Sequence, residues 1–382
     1  MHKKVKVIAG QASWVVHSDQ VELAVTRLGG HMGPVKFHRR SNMPIRPYYI
    51  SPWQGEGLSI NEPVLVPLRG DFFCMPFGAG CDYRGKRYET HGETSGRRWT
   101  LAGVEKTGLL TTIKLTMKTS KPPGRVTKRL HLVDGQNVVY SRHVLEGFSI
   151  RVPLGHHATL AVPARPGTLL VSTSPFVFGR TNPELFGDPE DGEYQSLAID
   201  APFVDLKRVP LIWRRPRLGD CSALPTREGF TDLLCCACKA EVFPAWTAAV
   251  ETEQRYLWFS LKDPAVLPSL LMWISNRGRH GSPWNGRNRC LGLEDVCAFF
   301  AAGLGRSVRP NALSRAGAAT AVKLSPKRPT IVNYVQGVVK IPRGFGRVRT
   351  ASFTPSEATF ISQSGKKATA AVNVEFLRTG RI

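Results

Sequence analysis

The strongest constraint on this chain is its punctuation. Apolar segments are short, rich in β-branched or aromatic residues, and closed off by Gly, Pro, Asp or Asn. Residues 5–8, 14–16, 21–25, 109–117, 138–145, 169–172, 256–260, 335–341 and 370–376 all fit that description. With 36 glycines and 28 prolines, long helices have few places to form. The pattern predicts an all-β sandwich.

The clearest run is LLTTIKLTM at 109–117, a break at Lys121-Pro122-Pro123-Gly124, then VTKRLHLV and VVYSRHVL. It reads as consecutive antiparallel strands joined by turns. No strand–helix alternation appears, which argues against a parallel nucleotide-binding sheet. Gly78-Ala79-Gly80 lacks the glycine, lysine and helix that a phosphate cradle requires. No repeat of solenoid or propeller period is present.

One stretch reads as helical. In residues 294–304, EDVCAFFAAGL, Val296, Phe299, Phe300 and Leu304 fall at helical spacing, and Gly303 and Gly305 can end the helix. Residues 305–330, rich in Ala, Ser, Arg and Pro, form the most linker-like stretch, and the strands after it are expected to return to the same sandwich. A length of 382 residues would accommodate two domains, but all-β sandwiches often run this long, so one domain over 1–382 is expected.

The formal charge of +23 suggests an anionic partner or substrate. The cations are nevertheless scattered; the nearest approach to a run is Arg214-Arg215-Pro216-Arg217, and no sustained tract marks a nucleic-acid tail. Nucleic acid is therefore not the expected partner. The first residues carry Lys6 inside a short apolar stretch, unlike a secretory leader, and no segment is long enough to span a bilayer. A cytoplasmic protein with no membrane partner is expected. Eight cysteines lack paired C-x-x-C spacing from two places, so buried free thiols are expected and a metal site is not. Nothing in the sequence sets an oligomeric state.

Three separated polar motifs carry the function: HGETSGRRW with His91, GHHATL with His156 and His157, and LGLEDV with Glu294. Taken singly, His91 reads as a surface turn residue and Glu294 as the acidic first turn of a helix. Their order along the chain, with Arg69-Gly70 ahead of Met75-Pro76-Phe77-Gly78 and with Trp99, resembles the aldose 1-epimerase (galactose mutarotase) superfamily. The Arg-Gly pair is closer to its glucose-6-phosphate 1-epimerase branch than to galactose mutarotase itself. The resemblance covers roughly residues 20–300, with His156 and Thr159-Leu160 departing from the family's usual neighbours of the second histidine.

The resemblance implies a galactose mutarotase-like supersandwich of antiparallel sheets with few short helices, acting on a hexose or hexose phosphate without metal or organic cofactor. Interconverting anomers requires a proton to leave the C1 hydroxyl while another reaches the ring oxygen. Glu294 is the expected base, and His157, or His156 if the register shifts, the expected acid, with His91 beside the ring oxygen. Successive strand residues face opposite sides, so only one of the two histidines reaches the cleft. Arg69 and Arg98 are the candidate clamps for a phosphate. The polar segment 275–287 reads as a loop whose Trp284 could stack on a sugar while Arg279, His280 and Asn285 offer hydrogen bonds. The alternative reading is a carbohydrate-binding protein on the same fold without catalysis.

Overall fold

The computed structural model describes residues 4–382, and its sheets are antiparallel. The meander forms as expected: Leu110–Ser120, Pro123–Val133 and Val138–Glu146 lie side by side, with Ile113, Leu115 and Met117 buried and the alternate Thr112, Lys114 and Thr116 half-buried. They belong to a nine-stranded sheet that runs from Ala223–Leu224 at one edge to Thr100–Thr107 at the other. Ala245–Glu251, Tyr256–Lys262 and Thr330–Lys340 lie in between.

A second, seven-stranded sheet takes the order Phe176–Thr181, Phe230–Cys238, Ser269–Asn276, Arg289–Cys297, Leu154–His156, Phe73–Cys74; Ala158–Ala161 also pairs with Arg289–Cys297. One apolar cluster joins the two sheets. The second sheet contributes Leu234, Cys236, Leu270, Met272, Leu291 and Leu293, and the first contributes Ile113, Leu115, Leu130, Trp258, Val332 and Val338. Burying such side chains stabilises by about 1.5–3 kcal/mol each, so this layer dominates the sandwich. A four-stranded sheet from Lys6–Ile8 to Met32–Lys36 adds Val16, Leu23 and Val25 to the same cluster.

Both sheets are also covered on their outer faces. Val348–Thr354, Glu357–Ser362 and Lys367–Ala371 form a three-stranded sheet whose Phe360, Ala368 and Ala370 pack on Tyr140, Leu257, Phe259 and Val335 of the nine-stranded sheet. The strands after 330 thus divide. Thr330–Lys340 joins the sandwich, whereas the later ones make a further layer, and the segment read as a strand at 370–376 leaves its strand at Ala371 to end in the helix Phe376–Thr379. The linker-like stretch holds two short helices, Gly303–Ser307 and Ala312–Arg315, the second capped reciprocally by Asn311 and Ser314.

The expected helix at 294–304 is corrected: Arg289–Cys297 is a strand, and only Gly303–Ser307 is helical. Residues 290–297 are buried on both faces, and Ser269–Asn276 pairs along the segment with Leu271 opposite Glu294. A nearly continuous apolar run of this kind suits a doubly covered strand, and tertiary pairing overrides the helical spacing. No helix among the described residues is long and apolar enough to cross a membrane. All eight cysteines are free and seven are buried; Cys235, Cys236 and Cys238 alternate along the strand Phe230–Cys238.

Candidate active site

Alternation within the seven-stranded sheet builds the site. On Arg289–Cys297, Leu291 and Leu293 face the inter-sheet core, and Cys290 and Val296 face the outer cluster with Leu233, Leu271 and Trp273. Glu294 shares the outer side. Gly292 lies two residues before it on the same face, and a Cβ there would fall 2.5 Å from Glu294 Oε1 and 3.1 Å from Trp273 Cβ. The missing side chain is the space in which the carboxylate lies.

The two adjacent histidines separate as strand geometry requires. His156 turns inward, its Nδ1 2.9 Å from Asp71 Oδ2 and its ring stacked on Tyr334 at 4.2 Å. His157 turns outward: its backbone N–H donates to Phe72 O at 2.9 Å, its Nδ1 sits 3.1 Å from Thr159 Oγ1, and its Nε2 lies 3.2 Å from Glu294 Oε1. Phe72 lies between two imidazoles, with ring centroids 4.0 Å from His31 and 4.5 Å from His157, both nearly parallel. His31 is itself fixed by Ser95 O at 2.8 Å, so the stack sets the plane of the His157 ring.

His91 meets the pair edge-on, 5.0 Å from the His157 ring. Its backbone N–H donates to Gly78 O at 2.8 Å while Gly78 N–H donates to its Nδ1 at 3.3 Å. With Nδ1 accepting, the neutral ring carries its proton on Nε2. The residue holds φ at +56°, and the following Gly92 is obligatory, since a Cβ there would fall 2.2 Å from Met75 O. A left-handed non-glycine residue at such a place is backbone strain maintained by its surroundings.

Together these groups line a cleft of about 440 Å³ with Phe72, Trp273, Trp284, Phe186 and Leu233, within the range of small-molecule sites. Burial pushes the Glu294 carboxyl up to about 8 and the His91 imidazole down to about 4. His157 is also driven well below the ordinary imidazole range, first by burial and then by repulsion from His91. At neutral pH the pair therefore rests as a carboxylic acid beside a neutral imidazole. The arrangement holds one transferable proton in an aromatic-walled cleft, with a second N–H donor from His91 at its side.

The other candidates divide. Arg279 and Trp284 line the cleft, Arg279 paired with Glu193 at 2.6 Å and Trp284 edge-on to Trp53 and Trp273. Arg69 does not: it is fully buried, donating to Pro67 O, Ile8 O, Ala9 O and Gln54 Oε1, so its guanidinium ties the N-terminal strands to the sandwich. Arg98 is exposed on a bridge to Leu28, and His280 and Asn285 are exposed on the loop and do not line the cleft. His156 belongs to the inter-sheet core.

Sequence reasoning missed Phe72, Trp273, Phe186, Glu62, Glu184 and Arg306 as cleft residues. Trp273 had a signal, since it lies two residues after the buried Leu271 on the same face of one strand, and it stands opposite Gly292. Arg306 had none, coming from a short helix and pairing with Glu184 across a long excursion of the chain.

No protein-family model matches the chain, and no curated protein sequence is similar to it. Solved structures do match. A galactose mutarotase related enzyme from Lactobacillus acidophilus is 12% identical with a TM-score of 0.53, over 85% of this chain and 97% of that one. A galactose mutarotase-like protein from Clostridium acetobutylicum is 10% identical with a TM-score of 0.54, over 88% and 97%. A candidate aldose 1-epimerase from Escherichia coli is 11% identical with a TM-score of 0.55, over 86% and 99%. The fold of this chain is therefore the galactose mutarotase-like sandwich of antiparallel sheets.

Proposed function

We propose that the cleft interconverts the anomers of a neutral hexose by general acid–base ring opening. The observation that carries this is the 3.2 Å contact between His157 Nε2 and Glu294 Oε1 in a cleft that disfavours the charged form of each. With the proton resting on Glu294, the carboxylic acid protonates the ring oxygen while the free His157 Nε2 takes the proton from the C1 hydroxyl. C1 rotates, and as the ring closes on the other face His157 gives its proton back to the C1 oxygen while Glu294 recovers its own from the former ring oxygen. The sequence reading placed the base on Glu294 and the acid on His157. Burial reverses the starting position of the proton, and because the cycle runs in both directions each group serves in both roles. His91 Nε2–H stabilises charge on the oxygen it faces.

Charge in the cleft favours a neutral sugar over its phosphate. Arg279 and Arg306 are each matched by a carboxylate, Glu193 and Glu184, while Glu62 adds another acid to the lining. The two arginines expected to clamp a phosphate lie elsewhere. Trp273 and Trp284 offer apolar surface to the C–H side of a pyranose.

The test is exchange NMR of anomer interconversion for glucose, galactose and glucose 6-phosphate. Acceleration is expected with a neutral hexose and weaker acceleration with the phosphate. In Glu294→Gln the rate falls by about 10²–10⁴, or about 3–5 kcal/mol in barrier. Sugar binding without exchange in the native protein would reassign the cleft to carbohydrate binding alone. For the native enzyme kcat/KM is expected to fall above pH about 8, as Glu294 loses its proton, and below about 4, as His91 gains one.

A further inference from the structure

Residues 206–219, LKRVPLIWRRPRLG, contain five cations and no acid. Val209–Pro210 and Leu218–Gly219 pair to fold them into a hairpin, closed by Leu211 N–H donating to Arg217 O at 2.9 Å. The hairpin is anchored to the body of the protein. Leu211 bridges to Leu197, Ile212 N–H donates to Ser196 O at 3.0 Å, and Trp213 sits edge-on to Phe230 at 5.5 Å beneath the Arg227 guanidinium at 4.8 Å. Phe230 opens the strand whose Leu233 lines the cleft.

Lys207, Arg208, Arg214, Arg215 and Arg217 are all exposed, and none takes part in an ion pair among the described residues. The flanking acids are already engaged: Asp220 pairs with Arg347 at 2.8 Å, and Asp205 Oδ1 accepts the Lys207 backbone N–H. Among these cations Ile212 is 51% exposed and Leu218 39%, with Ile199 on the adjoining segment 50% exposed.

We propose that this hairpin attaches the protein peripherally to an anionic lipid surface, with the arginines on the headgroup phosphates and the aliphatic side chains entering the boundary of the acyl region. Unpaired like charges held together on one rigid turn call for an anionic partner. The aliphatic companions select a lipid among such partners, because Ile212 and Leu218 can enter hydrocarbon but cannot stack on bases, and the one indole present is already occupied by Arg227 and Phe230. The absence of a spanning helix bears on crossing a bilayer and leaves attachment to its surface open.

The experiment is cosedimentation of the full chain with vesicles of phosphatidylcholine alone or with a quarter phosphatidylglycerol, at low and moderate salt. Native protein is expected to bind the mixed vesicles and not the neutral ones. The triple variant Arg214→Gln/Arg215→Gln/Arg217→Gln should lose about five-fold per arginine, roughly a hundred-fold together, with its thermal midpoint unchanged because these side chains are exposed. Ile212→Ser, which keeps every charge, should lose a few-fold while retaining the salt dependence. Equal binding to both vesicles, binding to neither, or a triple variant that sediments like the native protein would overturn the proposal. So would tight capture of a fluorescein-labelled single-stranded oligonucleotide that Ile212→Ser leaves unchanged, which would assign the hairpin to nucleic acid.

Discussion

The two sides of the seven-stranded sheet carry nearly the same residues and put them to opposite use. Facing the inter-sheet core are His156 and Asp295; facing the cleft, one position further or earlier, are His157 and Glu294. On the inner side the carboxylate is matched. Asp295 lies 2.5 Å from Lys262 Nζ and accepts from Ser260 Oγ at 2.7 Å and Tyr334 OH at 2.8 Å. On the cleft side Glu294 has, among the described residues, only the His157 ring within ion-pair reach. Burial is similar on both sides, so the presence or absence of a cation decides whether a carboxyl group holds a structure together or keeps a mobile proton.

Removing the cation from the matched side is expected to cost most. Lys262→Met leaves Asp295 buried and unpaired, and should destabilise the fold by about 3–5 kcal/mol in denaturant unfolding. A loss below 1 kcal/mol would mean the inner pair is not the structural half of the contrast. The converse substitution, Glu294→Gln, should cost no stability while activity collapses.

The pH dependence of stability separates the sides further. A carboxyl raised from 4.5 to about 8 by burial contributes its full stability below 4.5 and loses it as pH rises through 8. The Glu294→Gln variant should therefore gain on the native protein by up to a few kcal/mol between those pH values, read from paired thermal melts. His91, lowered from 6.5 to about 4, acts in the opposite sense: its contribution is present above 6.5 and lost as pH falls through 4. Native and His91→Gln proteins should diverge on the acid side only.

A smaller effect is expected from Gly292→Ala. The added methyl displaces the Glu294 carboxylate without touching the inner network, so activity should fall roughly ten-fold with stability altered by about 1 kcal/mol or less. Arg98→Ala and His280→Ala, both exposed and outside the cleft, should change stability by no more than about 0.5 kcal/mol and leave exchange rates unaltered.

Much of this contrast is present in the sequence as alternation. Two histidines in succession, and Glu294 followed by Asp295, must face opposite ways on any strand, and the meander from 109 to 146 is readable from its period of two. Residues 290–304 were not readable in the same way, because an apolar run buried on both faces has no period of two and borrows the spacing of a helix. Arg69 was opaque for another reason. Two of its partners are backbone carbonyls of residues about sixty positions away, and a carbonyl leaves no mark in the sequence. The paired state of Arg279 and Arg306 is equally invisible until the excursion carrying Glu184 and Glu193 folds back over the cleft.

The layer made by Val348–Thr354, Glu357–Ser362 and Lys367–Ala371 bears on how the molecule comes to be made. Every strand of the nine-stranded sheet precedes it in the chain, so on a growing polypeptide the apolar outer surface around Tyr140, Leu257, Phe259 and Val335 is complete before its cover has been synthesised. During that interval the nascent protein presents the kind of surface that chaperones bind and that drives aggregation. Cutting the message short within this layer should therefore yield insoluble protein even though neither Glu294 nor His157 has been touched.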